Sequence, residues 1–177
     1  MNEDFKALCE RSEKKIAEWM YNDLAKKYYF EIDIHCDGDY AFRQSCENGH
    51  FEIAKWLYSL RGVNIPCFGD YAFRAGCENG HLEIAKWLYS HGGVDIHSNY
   101  NYEFRFSCYN GHKHVSKWLY SLVSSTFKCD KYTFEWIHSE CKKDIVEWFN
   151  DIQVQVLSLL KTLLIQAIIN PCPQSSL

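Results

Sequence analysis

The feature that most constrains the fold of this chain is an internal repeat with a step of 31 residues. The segment that begins at Asp39 recurs from Asp70 and again from Asn101. Three columns of large or buried residue types keep their register in all copies: Phe42, Phe73 and Phe104; Cys46, Cys77 and Cys108; Trp56, Trp87 and Trp118. A period of this length is typical of a solenoid, in which each unit packs only on its neighbours.

Two weaker copies flank the regular ones. Trp19 follows Cys9 by ten positions, the spacing of the regular units, and Trp148 follows Trp118 by 30. The spacing therefore predicts one repeat array over residues 1–150. Its units are expected at residues 1–37, 38–68, 69–99, 100–129 and 130–150. The first unit carries six extra residues, so we expect its second helix or its following loop to be longer.

Each unit has the pattern of two short helices. Between Ile53 and Leu60, apolar residues fall at positions i, i+3, i+4 and i+7, which predicts one buried face that includes the tryptophan. Asp39 is a suitable N-cap for the first helix. Gly49 suits the left-handed residue that follows a helix, so we expect the turn between the helices there. The segment from Gly92, GGVDIH, and its counterpart RGVNIP are too short for a third helix and predict extended links.

The segment NGHLEIAKWLYSHGGVDIH, residues 79–97, resembles the second half of the ankyrin repeat. The first half departs from that family, because Tyr71, Ala72, Phe73 and Arg74 stand where the family has Thr, Pro, Leu and His. This combination is similar to the ankyrin repeat proteins that giant DNA viruses of amoebae encode. The resemblance implies an all-α, ankyrin-type solenoid of about five helix-turn-helix units with short hairpin-like linkers.

Composition and charge argue against several classes of partner and site. A formal net charge of -4, without a long basic run, gives no electrostatic footprint for nucleic acid. The N-terminal segment lacks the apolar stretch of a secretory signal, so we expect a cytoplasmic protein, in the host cell if it is viral. Its nine cysteines are then expected to be buried thiols rather than a disulfide framework.

A recurring Cys-x3-His pattern, as in Cys46 and His50, is the nearest approach to a metal or catalytic motif. Each unit offers only two potential ligands, and the glycine between them marks a turn, so no metal site is predicted. The same pair occurs three times, whereas catalysis needs one distinctive site. Because phosphate-binding, dinucleotide-binding and nucleophile-elbow motifs are also missing, we predict no enzyme activity and no cofactor. The histidine is expected to hydrogen-bond backbone.

A partner is expected to bind where the repeats differ. The resemblance implies that partners contact the hairpin tips and the outer face of the first helices. The predicted partner-binding residues are Phe68, Asp70, Tyr100, Asn101, Gln44, Phe106, Glu47, Glu78 and Tyr109. The aromatic members of this set are the hot-spot candidates, because aromatic side chains dominate interface energetics.

The C-terminal segment changes composition at about residue 151. Residues 151–170 predict an amphipathic helix with an apolar stripe from Ile152 to Ala167. We expect this helix to cap the open end of the array. A homodimer contact through residues 152–169 is the first alternative and contact with a membrane surface the second, although no membrane partner is expected. A spanning helix is not expected, since Lys161 lies within the segment. The tail, residues 171–177, is expected to be disordered.

The sequence therefore favours a non-catalytic module that binds an unidentified protein through the concave face and hairpin tips of the array. A structural or self-assembling protein that associates through its C-terminal helix is the alternative. By analogy with some viral ankyrin proteins, a third hypothesis is an adaptor that recruits host ubiquitylation machinery, although no F-box-like segment is evident.

Overall fold

The computed structural model describes residues 2–28, 31–60, 65–92, 94, 96, 102–123 and 131–169. Every regular element in these ranges is helical, which confirms the predicted all-α architecture. For residues 24, 25, 28, 65–70, 123, 131 and 163–169, the backbone alone is described.

The helices follow one another in pairs along the chain. In order they are α1 Asn2–Glu10, α2 Lys14–Trp19, α3 Ala25–Tyr28, α4 Cys36–Glu47, α5 Phe51–Ser59, α6 Ile65–Glu78, α7 Leu82–Ser90, α8 Tyr102–Tyr109, α9 Lys113–Val123, α10 Lys131–Glu140 and α11 Lys143–Ile169. The first helices of the pairs, α1, α4, α6, α8 and α10, contact one another in this order. They form a single row, as expected of a solenoid.

The extra residues of the first unit lengthen its second helix. A π-helical turn, Met20–Leu24, follows α2 directly and leads into α3 without a break. The prediction left open whether the helix or the loop was longer. The structure assigns the added length to the helix.

A glycine with positive φ ends the first helix in each regular unit. Gly49 has a φ of 79°, and the following His50 N–H donates to the Ser45 carbonyl at 2.8 Å. The Gly49 N–H itself donates to the Cys46 carbonyl. These two bonds satisfy the last carbonyls of α4 in the Schellman arrangement, which confirms the predicted turn.

One continuous core runs through the array. The phenylalanine and cysteine columns are almost completely buried, and Ile53 and its equivalents Ile84 and Val115 lie beside them. The prediction of buried cysteine thiols is confirmed for Cys46, Cys77 and Cys108. Single units of 31 residues cannot enclose such a core, so stability comes from the contacts between units.

The tryptophans were predicted to lie in the core, and the structure corrects this in part. Trp56, Trp87 and Trp118 are half-buried and pack against the core from its edge. Trp19 is 53% exposed, so the prediction is wrong for this residue. The indole is too wide to be enclosed by one helix pair, and it needs a preceding pair to cover it.

The segment before α4 also differs from the expected N-cap. Asp37, Gly38 and Asp39 have φ values of 54–64°, so a left-handed turn precedes the regular part of the helix. The Asp39 carboxylate is buried and lies 2.5 Å from the His35 Nδ1 atom. Because this carboxylate faces backwards to His35, the predicted capping role of Asp39 is wrong.

The predicted link before the third pair is shorter than expected. α6 begins at Ile65, so residues 65–70, expected in an extended link and hairpin tip, are helical. Residues 61–64, 93, 95 and 97–101 lie outside the described residues, and with them most of the predicted extended links.

The C-terminal segment is not a separate helix. α11 begins at Lys143, carries the buried residues Ile145 and Phe149, and continues unbroken to Ile169. Residues 154–162 are all exposed, so this stretch does not cover the end of the array. The predicted capping role is therefore wrong for these residues. Among the described residues, no helix has the length and apolar content to span a membrane. The predicted disordered tail lies outside the described residues.

Candidate partner-binding surface

The described members of the predicted site lie on the row of first helices. Gln44 and Glu47 belong to α4, Glu78 to α6, and Phe106 and Tyr109 to α8. Each is half-buried or exposed, so each contributes to a surface that we call the first-helix face. The remaining predicted residues cannot be placed on this face: for Phe68 and Asp70 only the helical backbone is described, and Tyr100 and Asn101 lie outside the described residues.

A contact between neighbouring units organises this face. The Tyr71 hydroxyl of α6 donates to the Glu47 carboxylate of α4 at 3.0 Å. The Arg43 guanidinium of α4 lies 5.1 Å from the centre of the Tyr71 ring, within the range of a cation–π contact. Gln44 also donates to Glu47, at 2.9 Å. The Glu47 carboxylate is therefore held in place from two sides.

The same contact recurs one unit further along the array. The Tyr102 hydroxyl of α8 lies 3.4 Å from the Glu78 carboxylate of α6, and the Arg74 guanidinium lies 5.8 Å from the Tyr102 ring centre. Partial burial, and then the neighbouring carboxylate, raise the pKa values of the Tyr71 and Tyr102 phenols. Both hydroxyls accordingly remain protonated donors to the glutamates.

The tyrosine and arginine residues that form these contacts between units are not among the predicted site residues. In the sequence, Tyr71 and Arg74 stand out only as departures from the ankyrin pattern. A signal was nevertheless present, because a Tyr-x2-Arg spacing occurs at Tyr40, Tyr71 and Tyr102 in the three regular units. Only the structure shows that the tyrosine of one unit meets the arginine of the unit before it.

This contact between units changes at α8, where Tyr109 stands at the position of Glu47 and Glu78. Phe106 stacks on Tyr102, with 4.1 Å between ring centres. Trp136 of α10 lies 5.9 Å from both Phe106 and Tyr109. The Arg105 guanidinium lies 5.3 Å from the Trp136 ring. We call the set Tyr102, Phe106, Tyr109 and Trp136 the aromatic cluster.

Part of this cluster is open to solvent. Tyr109 is 47% exposed, although its ring contacts Phe106 and Trp136. Phe106, by contrast, is partly covered by its neighbours. Phe106 therefore both supports the cluster and contributes to its surface, whereas Tyr109 is the more exposed of the two.

The histidines of the repeat have a structural role. The His81 Nε2 atom lies 3.0 Å from the Glu47 carbonyl, and His50 lies 2.7 Å from the Glu10 carbonyl. Each histidine thus contacts the end of the first helix in the preceding unit. The prediction that these histidines hydrogen-bond backbone is confirmed for this pair.

The buried thiols of the described residues are poorly suited to nucleophilic chemistry. Burial raises the pKa of the Cys9 thiol to about 12, and it raises the pKa values of the Cys46 and Cys77 thiols as well. Cys141 differs, because a hydrogen bond with the buried Cys108 lowers its pKa. In the described part of the chain, no group of three or more His, Cys, Asp or Glu residues is arranged to hold a metal ion.

Comparisons with known proteins agree with this geometry. A family model for ankyrin repeats, in three copies, matches residues 8–100, slightly more than half of the chain. The matched range includes α4 to α7, and so it includes the Glu47–Tyr71 contact of the first-helix face. No curated protein matches the chain.

Proposed function

Because the chain belongs to the ankyrin repeat family, whose repeats are generally protein–protein interaction modules, we propose that it binds a partner protein through its first-helix face. Proteins of this family are typically not enzymes, and we assign no catalytic step to the chain. Gln44, Glu47, Glu78, Phe106 and Tyr109 form the described part of the proposed contact surface.

The aromatic cluster carries this proposal. Helices α4 and α6 have a glutamine or alanine, and then a glutamate, at the positions of Phe106 and Tyr109. The fold forms without aromatic residues there, so their presence in α8 is not required by packing of the repeat. Exposed tyrosine next to tryptophan and arginine is the composition of protein-binding hot spots.

The test gives two positions of α8 the residues that α6 has at the equivalent positions. In the double variant F106A/Y109E, the two positions carry the residues of Ala75 and Glu78. The control is H114E, which likewise restores the residue of the preceding unit, Glu83, but on a second helix. Wild type and variants are used for affinity purification from cells that express the protein, and the partner is identified by mass spectrometry.

We expect wild type and H114E to retain the same partner, and F106A/Y109E to bind it at least about tenfold more weakly, because two hot-spot residues are lost. Circular dichroism confirms that each variant is folded. A wild-type protein that retains no partner, or a double variant that retains it equally well, would contradict the proposal.

A cytoplasmic location is part of the proposal. The described cysteines are free thiols, and four of them are buried, which suits a reducing compartment. A fluorescent fusion of the full chain should distribute through the cytoplasm. Co-localisation with markers of the secretory pathway would contradict it. We also propose a viral origin, on the resemblance of the YAFR segments alone.

Self-association through α11 is the second candidate function. The helix exposes a series of large apolar side chains, among which Val154 is 66% exposed and Leu159 is 62% exposed. Such a continuous apolar surface is unusual on a monomer. We propose a homodimer through residues 152–169 as its form.

Light scattering tests this candidate on the full chain and on a chain that ends at Asn150. If α11 mediates association, the full chain should have twice the mass expected for a monomer and the shorter chain should not. A monomer in both cases would remove the candidate, whereas partner binding through the first-helix face would be unaffected.

A further inference from the structure

A cleft of about 310 Å³ lies on the first-helix face, beside the aromatic cluster. Residues of three successive first helices line it, namely Glu47, Tyr71, Arg74, Ala75, Glu78 and Tyr102, together with Asn79 in the turn after α6. Tyr102 belongs both to the cleft and to the aromatic cluster, so the two features are continuous. A partner that covers the cluster therefore also reaches the cleft.

The electrostatics of the cleft favour a cation. Glu47 and Glu78 are the last residues of α4 and α6, where the partial negative charge of the helix ends adds to the two carboxylates. Arg74 is the one basic residue of the lining, and its guanidinium lies over the Tyr102 ring. Glu47 and Glu78 against Arg74 give the lining itself a formal charge of -1, and Arg43 lies outside the lining, against the Tyr71 ring.

The carboxylates are held in position before any ligand arrives. Tyr71 donates to Glu47 and Tyr102 lies within hydrogen-bond distance of Glu78, so both glutamates are oriented by a phenol of the next unit. A carboxylate has about four acceptor positions, so these contacts leave it able to accept further donors. The rings of the same two tyrosines provide flat aromatic walls, which attract cations as well.

The size of residue 75 explains why the cleft is found at this unit. The equivalent residues are Gln44 in α4 and Phe106 in α8, both much larger than Ala75. Ala75 is buried and lies in the cleft lining, so its small side chain leaves space where a longer one would fill it.

We propose that this cleft binds a lysine or arginine side chain of the partner protein, in a segment whose neighbouring apolar residue contacts the aromatic cluster. The inference rests on the proposed partner binding and specifies the chemistry that the partner presents. Carboxylates held by tyrosines would accept charge-assisted hydrogen bonds from the cation, and the tyrosine rings would lie along its aliphatic stem.

The direct test uses a small cationic probe and a neutral molecule of the same shape. n-Butylguanidinium and n-butylurea are each titrated into the full chain, and backbone amide shifts are followed by NMR. We expect saturable shifts at Ala75, Glu78 and Asn79 with n-butylguanidinium, and at least about tenfold weaker binding of n-butylurea, since it carries no charge. Equal binding of the two probes, or no saturable shift, would overturn the proposal.

Three variants assign the effect to the cleft. E47Q/E78Q removes both charges while keeping an acceptor for the tyrosines, and A75Q fills the cleft with the residue found in α4; both should abolish the shifts. E52Q/E83Q makes the same change of charge at exposed positions of α5 and α7, and it should leave them unchanged. If the exposed pair abolished the shifts equally, general surface charge rather than the cleft would be responsible.

The two proposals fail in different ways. If a partner is retained by the wild-type protein and is released neither by E47Q/E78Q nor by A75Q, the cation site is wrong and partner binding stands. If n-butylguanidinium binds the cleft but no partner is retained, partner binding fails instead.

Discussion

A glycine and a histidine from neighbouring units lie in close contact in the repeat. A Cβ atom added at Gly80 would lie 2.5 Å from the His112 Nδ1 atom, and one at Gly49 would lie 2.6 Å from the His81 ring. The glycine is therefore required twice, for its positive φ and for the space that the next histidine occupies. The recurrence of Asn-Gly-His in the sequence follows from a contact between units as much as from a turn within one.

Substitution of Gly80 by alanine tests this double requirement, and Gly92 supplies the matched control. Both have φ near +80°, but nothing lies within 4 Å of a Cβ at Gly92. Each change should cost about 1–2 kcal/mol for the left-handed backbone. G80A should cost a further 1–3 kcal/mol, roughly the usual cost of overpacking, because His112 must move. Urea unfolding measures both; equal losses would show that the histidine contact is unimportant.

Cys108 and Cys141 form a pair with opposite pKa shifts. Cys108 is buried and its pKa is raised, first by its hydrogen bond to Cys141 and then by burial, whereas the same hydrogen bond lowers the pKa of Cys141. The sign follows from the direction of donation, since a neutral thiol that donates stabilises the thiolate that accepts. Cys141 is also half-exposed, so a reagent can reach it.

Alkylation by iodoacetamide at pH 8 should therefore label Cys141 faster than Cys9, Cys46 or Cys77, because the thiolate is the reactive species. C108A removes the donor, raises the pKa of Cys141 and should slow its labelling. C77A alters the equivalent residue of the preceding unit and should leave the rate at Cys141 unchanged. Peptide mapping by mass spectrometry gives the rate at each residue. Slow labelling of Cys141 in the wild-type protein would contradict this assignment.

At the scale of the helices, the second helix of each regular unit is joined to the unit before it by its tryptophan. Trp87 lies 6.2 Å from Phe42 and 5.5 Å from Tyr58, and Trp118 lies 6.3 Å from Phe73. The tryptophans therefore do not stack on one another but bridge successive units through phenylalanine. Among the described residues, no phenylalanine of a preceding unit packs on Trp19, which accounts for its exposure.

The two tryptophan positions should differ sharply in their effect on stability. W87A removes four aromatic contacts and should lower the free energy of unfolding by about 3 kcal/mol, the lower end for a large aromatic residue because Trp87 is half-buried. W19A, at an exposed position, should cost roughly 0.5 kcal/mol or less. Denaturant unfolding followed by circular dichroism compares them. Similar losses would show that the bridge between units is not what Trp87 supplies.

At the scale of the whole molecule, the first part of α11 packs on the array, whereas its second part is exposed to solvent. Its first two turns bury Ile145 and Phe149, whereas residues 154–162 contact little of the array. The hydrogen bonds of the second part lie within the helix itself. Short helices without tertiary contacts are only marginally stable in water.

Hydrogen exchange should reveal this division. In a dilute sample the amides of residues 154–162 should exchange much faster than the amide of Phe149, since only the latter is protected by the core. Protection of residues 154–162 that rises with protein concentration would support self-association through α11. Full protection at the lowest concentration would contradict the exposure of this segment in a monomer.

The helix pairs of the array could be predicted from the sequence, because the interactions that form each pair join residues close together in the chain. Apolar residues at helical spacing and, in the three regular units, the turn at a glycine after the first helix act within one unit, and the 31-residue period repeats them. They are sufficient to predict helix pairs and a shared core of phenylalanine and cysteine. The resemblance to the ankyrin pattern then supplied the expected role, which the family match supports in general terms.

The tertiary structure decided what lies between units and beyond them. Whether Trp19 is covered, where Tyr71 directs its hydroxyl, and how Ala75 opens a cleft all depend on side chains about 30 positions apart. The course of α11 likewise depends on whether another surface lies close enough to pack on it. Periodicity within the chain determines each unit, but a binding surface arises from contacts between units, and these exist only once the helices are assembled.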